Sequence, residues 1–387
     1  MKKIAVVTAT RAEYGILTPL IKAIDDDNEL ELDLIVTGTH LSEKHGYTKK
    51  FIEIDGFHIS HEIPILEDGN TPFDISITMA NAITGFAECF RDDKPDMVVL
   101  LGDRTEMLGI AAAAMNERIP IAHLHGGEVT EGAVDDCVRH ALSKMSYLHF
   151  TSTEAYRNRV IQLGESPERV FFVGALSTEN ILKAPLLNES DIRLEVGIPE
   201  NIPYSVVTFH PVTLEADSAK QQTLELCKAM EECSAYYYLI TMANADAGGD
   251  MVNKLIGEFA DRHENVRLVS SLGMTRYLSA VKYCRFVLGN SSSGIIEAPV
   301  LGAPTVNIGD RQKGRLMAET IINCEPDCKD IVEAIHNAES MEHTSTLMYG
   351  DGNTSEKIVK IIKDVLMNDK VNLKKRFYDI KGDDFEN

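Results

Sequence analysis

The stretch IAVVTATRAEYG, residues 4–15, decides the fold. Ile4–Val7 is continuously apolar rather than alternating, as a strand covered on both faces should be. Arg11 and Glu13 follow its Thr-Ala-Thr end at once, so the run reads as a first strand and not as a signal peptide. Working outward, the same pattern recurs at LDLIVTG (32–38), DMVVLL (96–101), IPIAHL (119–124), YLHFTST (147–153) and VFFVG (170–174). Helical patterns lie between these runs. In AVDDCVRHALSKM, for example, Val134, Val138, Ala141, Leu142 and Met145 recur at helical spacing. Alternating strands and helices of this kind predict a parallel sheet with helices on both faces.

Residues 175–204 hold three of the 13 prolines and no strand-like run, and a linker is expected near their start. A second series then begins: SVVTFHP (205–211), YYYLITM (236–242), VRLVSS (266–271), RFVLGN (285–290) and APTVNIG (303–309). The expectation is therefore an α/β protein of two Rossmann-like doubly wound domains with a cleft between them. The first covers residues 1–175, with a terminal helix over 366–387 packing back onto it, and the second covers 176–365. A length of 387 residues agrees with two domains, since one hydrophobic core rarely grows past about 250–300 residues.

Composition narrows the partners. With 38 basic and 60 acidic residues the formal charge is −22, which repels nucleic acid and anionic lipid. An anionic small molecule would need a local cluster of donors acting against that field. The seven cysteines include no C-x-x-C pair, and neither Cys227/Cys233 nor Cys324/Cys328 has a partner set at zinc spacing. Reduced thiols in a cytoplasmic protein are expected. No stretch approaches the ~18 apolar residues of a membrane span.

In open α/β sheets ligands bind beyond the carboxyl ends of the strands, so those ends carry the candidate chemistry. The first strand lacks the G-x-G-x-x-G of a dinucleotide site and supplies Arg11 instead, which argues against a nicotinamide enzyme. Arg11 suits a diphosphate through bidentate hydrogen bonds, or forms a surface pair with Glu13. LGDRTEM puts Asp103 and Arg104 at a strand tip, as an ion pair or with Asp103 as a general base. FHPV places His210 at another tip, in a structural or a functional role. In GNSSSGIIE, Asn290–Gly294 leads into a helix; Ser291 and Ser292 would cradle a phosphate and Glu297 would meet a ribose diol. Ordinary helix capping is the competing account, although Ser293 and Glu297 are four apart and a capping box needs three.

The densest stretch is HLHGGEVTEGAVDD, residues 123–136. His123 and His125, two apart on a strand, would share a face and with Asp103 would suit a metal. No further histidine or cysteine is spaced to complete such a site, and the acids outnumber possible ligands, so proton transfer is the better reading. Asp135 opens the next helix, and the pairs Asp135/Arg139 and Asp136/His140 suggest ion pairs on a solvated face.

Taken together, TRAEYG, LGDR, H-x-x-GGE with DD-x-x-RH, FHP, NADAG, GNSSSGIIE and GDRQKGR resemble the hydrolysing UDP-N-acetylglucosamine 2-epimerases of sialic-acid and legionaminic-acid synthesis, over nearly the whole chain. The resemblance implies a glycosyltransferase-B-like fold, a homodimer, a sugar-nucleotide substrate and no redox cofactor or metal. It implies loss of the C2 proton as the nucleoside diphosphate leaves C1, followed by addition of water to the glycal with C2 inverted. Arg11, Arg104, His210, Ser291, Ser292 and Arg311 then look like diphosphate and substrate contacts. Glu297 is similar to a ribose carboxylate, and Asn244, Leu272 and Tyr277 look like parts of the nucleoside pocket. Asp103 and Asp135 resemble the catalytic acids, with His125 and His210 beside them. Many relatives carry glutamate where His125 stands, and this chain has one extra residue between GGE and DD. The change could mark a histidine acting in the glutamate's place, or a 2,4-diacetamido-trideoxy sugar as substrate. A glycosyltransferase, a non-catalytic sugar-nucleotide sensor and a metal hydrolase are the competing classes.

Overall fold

The structure is a computed structural model describing residues 1–67, 69, 71–129, 134–211, 216–242, 249–270 and 272–380. It divides into two units, Met1–Asn180 with Gly350–Asn387, and Ile181–Tyr349. The first unit holds β1 (Lys2–Thr8), β2 (Leu30–Thr37), β3 (His61–Ile63), β4 (Met97–Leu101), β5 (Ile121–Leu124), β6 (Leu148–Thr151) and β7 (Val170–Phe172). These pair in parallel in the order β3-β2-β1-β4-β5-β6-β7. The second holds β8 (Tyr204–Thr208), β9 (Tyr237–Thr241), β10 (Val266–Val269), β11 (Phe286–Gly289), β12 (Thr305–Ile308) and β13 (Ile321–Cys324). Its order is β10-β9-β8-β11-β12-β13, again parallel.

Each unit is thus doubly wound, as the unbroken apolar runs predict. Strand order reverses between β1 and β4, and again between β8 and β11, where loops diverge and ligands characteristically enter. Two edge strands escaped the pattern. β3 is only three residues long, and β13 (IINC) is only partly buried, so neither makes a continuous apolar run.

The units also divide at other residues than expected, at 180/181 and 349/350 rather than 175/176 and 365/366. The late helix is Thr354–Met367 rather than one that starts at 366; the end of the expected span, 381–387, lies outside the described residues. Asp369, with φ of +49°, ends it in the left-handed region, and residues 370–380 run on without regular structure. Ile358, Ile362, Val365 and Leu366 of this helix share one core with Leu17, Leu20, Ile21 and Ile24 of the helix Arg11–Asp25. Chain remote in sequence therefore completes one face of the first sheet. No helix among the described residues is long and apolar enough to cross a membrane.

The segment after that helix is tied down by charge. Lys375 Nζ lies 2.8 Å from Glu165 Oε2 and donates to the carbonyls of Lys144 and Ser146 at 2.9 and 2.6 Å. Glu165 is fully buried and also meets Lys144 at 2.6 Å and His149 at 3.2 Å. Burial alone would raise its pKa, but His149, Lys144 and Lys375 outweigh that and hold it down to about 2. The unfolded chain then takes up the proton first. The stabilisation is complete above about pH 4.5 and drains away as pH falls toward about 2. Glu165→Gln is expected to flatten the pH dependence of Tm across that window, read by thermal denaturation of both proteins between about pH 6 and 2.5.

Candidate active site

At the switch point of the first unit, Thr10 caps the helix Arg11–Asp25 by accepting from Glu13 N at 3.2 Å. The Glu13 carboxylate turns inward and accepts from Ala9 N at 3.1 Å. Arg11 is therefore not held by Glu13; its guanidinium lies 4.4 Å over the Phe51 ring. Burial pushes Glu13 up to about 7 against the pull of Arg104, with Glu106 adding to the rise. Arg104 itself is bonded to Glu106 at 2.6 Å and keeps its head half exposed.

Asp103 follows β4 and pairs with Arg139 from the helix Val134–Met145. Arg139 also meets Asp136 at 3.2 Å and donates to the Glu128 carbonyl at 3.0 Å. Only 4 % exposed, Arg139 points into the site, not onto the solvated face expected for an Asp135/Arg139 pair. The expected pairing of Asp136 with His140 has a nitrogen–oxygen separation of 3.5 Å. Burial raises the Asp103 pKa, Arg139 opposes it, and the nearby charges of Asp135 and Glu128 add to the rise. A carboxylate with raised proton affinity, held by a fixed guanidinium, is suited to accepting a proton.

The two histidines part company. His123 is fully buried, with Nε2 2.7 Å from the Gly102 carbonyl and Nδ1 3.3 Å from Ser143 Oγ. Burial pushes it down to about 3, so it is a neutral strut fixing the loop that carries Asp103. His125 lies past the end of β5 with φ of +64°, which breaks the alternation that would have set both rings on one face. With both nitrogens of His123 engaged, the competing two-histidine metal face is not formed. Among the described residues one group of three, Asp33, His61 and Asp93, has ligand atoms close enough for a metal. Lys3 Nζ sits 2.5 Å from Asp93 Oδ1 there, so a cationic side chain already meets one of the three.

The second unit has its own cluster at the β8/β11 switch point. Asn290 clasps His210 through both backbone groups, accepting from N at 2.7 Å and donating to O at 2.8 Å. Arg311 and Gln312 donate to the Asn290 carbonyl at 3.0 and 2.9 Å. Ser291 caps the helix Ser292–Leu301, and Ser293 Oγ, one residue into that helix, donates to Glu297. Burial raises the Glu297 pKa, and Ser293 opposes the rise. Tyr277 donates to Ser293 Oγ at 2.7 Å from the helix Gly273–Tyr283, whose N-cap is the buried Leu272. His210, Ser291, Ser292, Glu297, Arg311, Leu272 and Tyr277 thus gather around one sheet end. Asn244 lies outside the described residues. Arg139, Glu13 and Glu128 were not among the expected site residues, although Glu128 and Arg139 stand in the GGE and DD-x-x-RH motifs and Glu13 in TRAEYG.

Two doubly wound sheets, each with polar groups collected at its switch point, define a two-domain α/β protein of the glycosyltransferase-B-like fold class. Residues 22–363 match the family described as UDP-N-acetylglucosamine 2-epimerase. The chain belongs to that family. It is 40% identical over 342 residues, 88% of each chain, to the GDP/UDP-N,N'-diacetylbacillosamine 2-epimerase (hydrolyzing) of Campylobacter jejuni. It is 32% identical over 386 residues, 98% of this chain and 100% of the other, to the UDP-N-acetylglucosamine 2-epimerase of Neisseria meningitidis serogroup B. The crystal structure of UDP-GlcNAc 2-epimerase from Neisseria meningitidis bound to UDP-GlcNAc superposes with a TM-score of 0.75 at 19% identity, covering 94% of this chain and 100% of that one. The protein is an enzyme of the hydrolysing 2-epimerase kind.

Proposed function

We propose that the protein converts UDP-N-acetylglucosamine and water to UDP and the free 2-epimer, N-acetylmannosamine. In the first step a carboxylate takes the C2 proton, the C2–H electron pair forms the C1=C2 bond, and the C1–O pair leaves with UDP. In the second, a proton returns to C2 on the opposite face, water oxygen bonds to C1, and the water gives up its other proton. Inversion therefore needs a proton-handling group on each face of C2. Asp103, with Asp135 beside it, serves as the base, and His125 is the second group. Arg11, Arg104, Arg311, Ser291, Ser292 and the N–H groups at the start of the Ser292 helix stabilise the departing diphosphate. Glu297 receives the ribose hydroxyls, Leu272 and Tyr277 flank the base, and His210 contacts the sugar nucleotide.

The observation that carries this reading is the Asp103 carboxylate, set at a strand tip by Arg139 and raised in proton affinity. Turnover in D2O with NMR of the sugar tests it: deuterium at C2 of a free manno-configured product is expected. A nucleotide-linked product, or a sugar still protonated at C2, would overturn it. Glu297→Ala is expected to weaken UDP binding about 100-fold by calorimetry, through loss of two charge-assisted hydrogen bonds. Unchanged affinity would remove the ribose assignment.

A second reading keeps the chemistry and changes the sugar to a UDP- or GDP-linked 2,4-diacetamido-trideoxyglucose. The activity for which the Campylobacter jejuni relative is named favours it, since that relative is more similar in sequence than the Neisseria meningitidis one. The ratio of kcat/KM for the two sugar nucleotides decides between them. The homodimer implied by the family belongs to the same proposal and is read by light scattering.

A further inference from the structure

The turn after β5 is built with more care than a connecting loop needs. His125, at φ of +64°, holds a left-handed conformation that non-glycine residues rarely adopt. Its backbone N–H is anchored to the Phe150 carbonyl at 2.9 Å. Two residues on, Gly127 has φ of +82°, and a Cβ there would lie 2.3 Å from the Tyr156 carbonyl oxygen. The chain is thus pinned on both sides of the imidazole. Strained backbone held by its surroundings marks a position where the side-chain direction matters.

The ring itself is fixed at one nitrogen only. His125 Nδ1 lies 3.0 Å from Glu128 Oε1, and that oxygen also accepts from Ser152 Oγ at 2.8 Å. His125 Nε2 is buried without a hydrogen-bond partner among the described residues. Burial would raise the pKa of Glu128, but the imidazole and the Ser152 hydroxyl outweigh that and keep it below the usual glutamate value. An ionised carboxylate can only accept, so Nδ1 must carry the proton and Nε2 is the nitrogen left to exchange one.

We infer that Glu128 is a positioning residue: with Ser152 behind it, its carboxylate fixes the tautomer and angle of His125 so that Nε2 transfers the proton. The inference rests on the proposed reaction, in which His125 is one of the two groups acting at C2. Ser152, just past the end of β6, steadies Glu128 as Glu128 steadies His125, an arrangement that fixes which way the far nitrogen points. Among the described residues, the other titratable and charged groups packed around this turn are Asp103 after β4, His123 on β5, Asp135 and Arg139 on the following helix, and Arg159 on the helix Glu154–Gln162. Glu128→Gln leaves all of them in place and removes one charge.

The test uses the full-length enzyme. Glu128→Gln is expected to lower kcat about 10- to 100-fold with KM within about two-fold. The amide no longer presents a charge to the ring, so the pH profile of kcat is expected to differ from that of the wild type. Glu128→Asp should recover part of the rate, and a His125→Ala/Glu128→Gln double variant should be no slower than His125→Ala. Additive losses, an unmoved pH profile, or an effect confined to KM would overturn the inference. A second readout does not need turnover: long-range 1H–15N NMR of the His125 ring at about pH 8. The wild type should show the Nδ1–H tautomer, and Glu128→Gln a mixture. If the wild type turns over neither UDP-sugar, the reaction proposal fails by itself, and the ring tautomer still decides the role of Glu128. The same tautomer in both proteins would sink it.

Discussion

Asp103→Asn is expected to lower turnover by about three orders of magnitude while UDP affinity stays within about two-fold. Asparagine keeps the shape of the side chain, and its oxygen still accepts from Arg139, so the loop after β4 stays in place. What it loses is the lone pair that takes a proton. Arg139 keeps Asp136 as a counter-charge, which limits the structural cost of removing the carboxylate. The wild-type group is suited to the task because burial and the neighbouring Asp135 and Glu128 raise its proton affinity while Arg139 keeps it oriented. UDP release measured beside calorimetric UDP binding separates the two effects. A variant that retains wild-type turnover would take Asp103 out of the chemistry.

Gly289→Ala should produce the largest loss of stability of any single methyl group added at a strand end. Gly289 has φ of +133°, and a Cβ there would sit 2.0 Å from the Thr208 carbonyl oxygen. Thr208 is its partner in the β8/β11 ladder and also accepts from Asn290 N at 3.2 Å. The strands would have to separate where the chain turns to hold His210. Backbone strain and overpacking together cost about 3 kcal/mol, which lowers Tm by about 6–12 °C in a unit of this size. UDP affinity should fall with it, since Asn290 and His210 are displaced. Gly309→Ala is the control: its φ is +71° with nothing within 4 Å of the added methyl, so only the smaller strain remains. Similar Tm values for the two variants would refute the steric argument.

Most strands legible in the sequence, between Ile4 and Ile308, were buried along their whole length, because a strand with helices above and below it must be apolar at every position. The edges β7 and β10 were legible too, through Val170, Phe171 and Val173 and through Val266, Leu268 and Val269, whereas β3 has only three residues and β13 is only partly buried. The late helix was misplaced because Thr354–Met367 ends at a left-handed Asp369, which no periodicity announces. At the site, sequence order located what sits at strand tips: Asp103, Arg104, His125, His210 and the Ser291–Glu297 segment. It misjudged Arg139, since a helical spacing of four from Asp135 describes a surface pair as readily as an inward guanidinium. Burial chose between them, and burial is a property of the packed sheet. His123 and His125 were indistinguishable in sequence for the same reason: His123 lies on β5 with its ring in the core, while His125 follows the strand with φ of +64° and leaves the alternation.

The division of the first unit into Met1–Asn180 and Gly350–Asn387 bears on how the protein is made. Ribosomes deliver residues 181–349 as one uninterrupted piece, and that piece can consolidate as soon as it emerges. The earlier unit cannot, because the apolar stripe of Leu17, Leu20, Ile21 and Ile24 waits for Ile358 and Ile362. For most of synthesis the nascent amino-terminal half exposes an uncovered greasy flank. Chaperone demand, and the yield lost to aggregation, should therefore fall most heavily on the segment translated first.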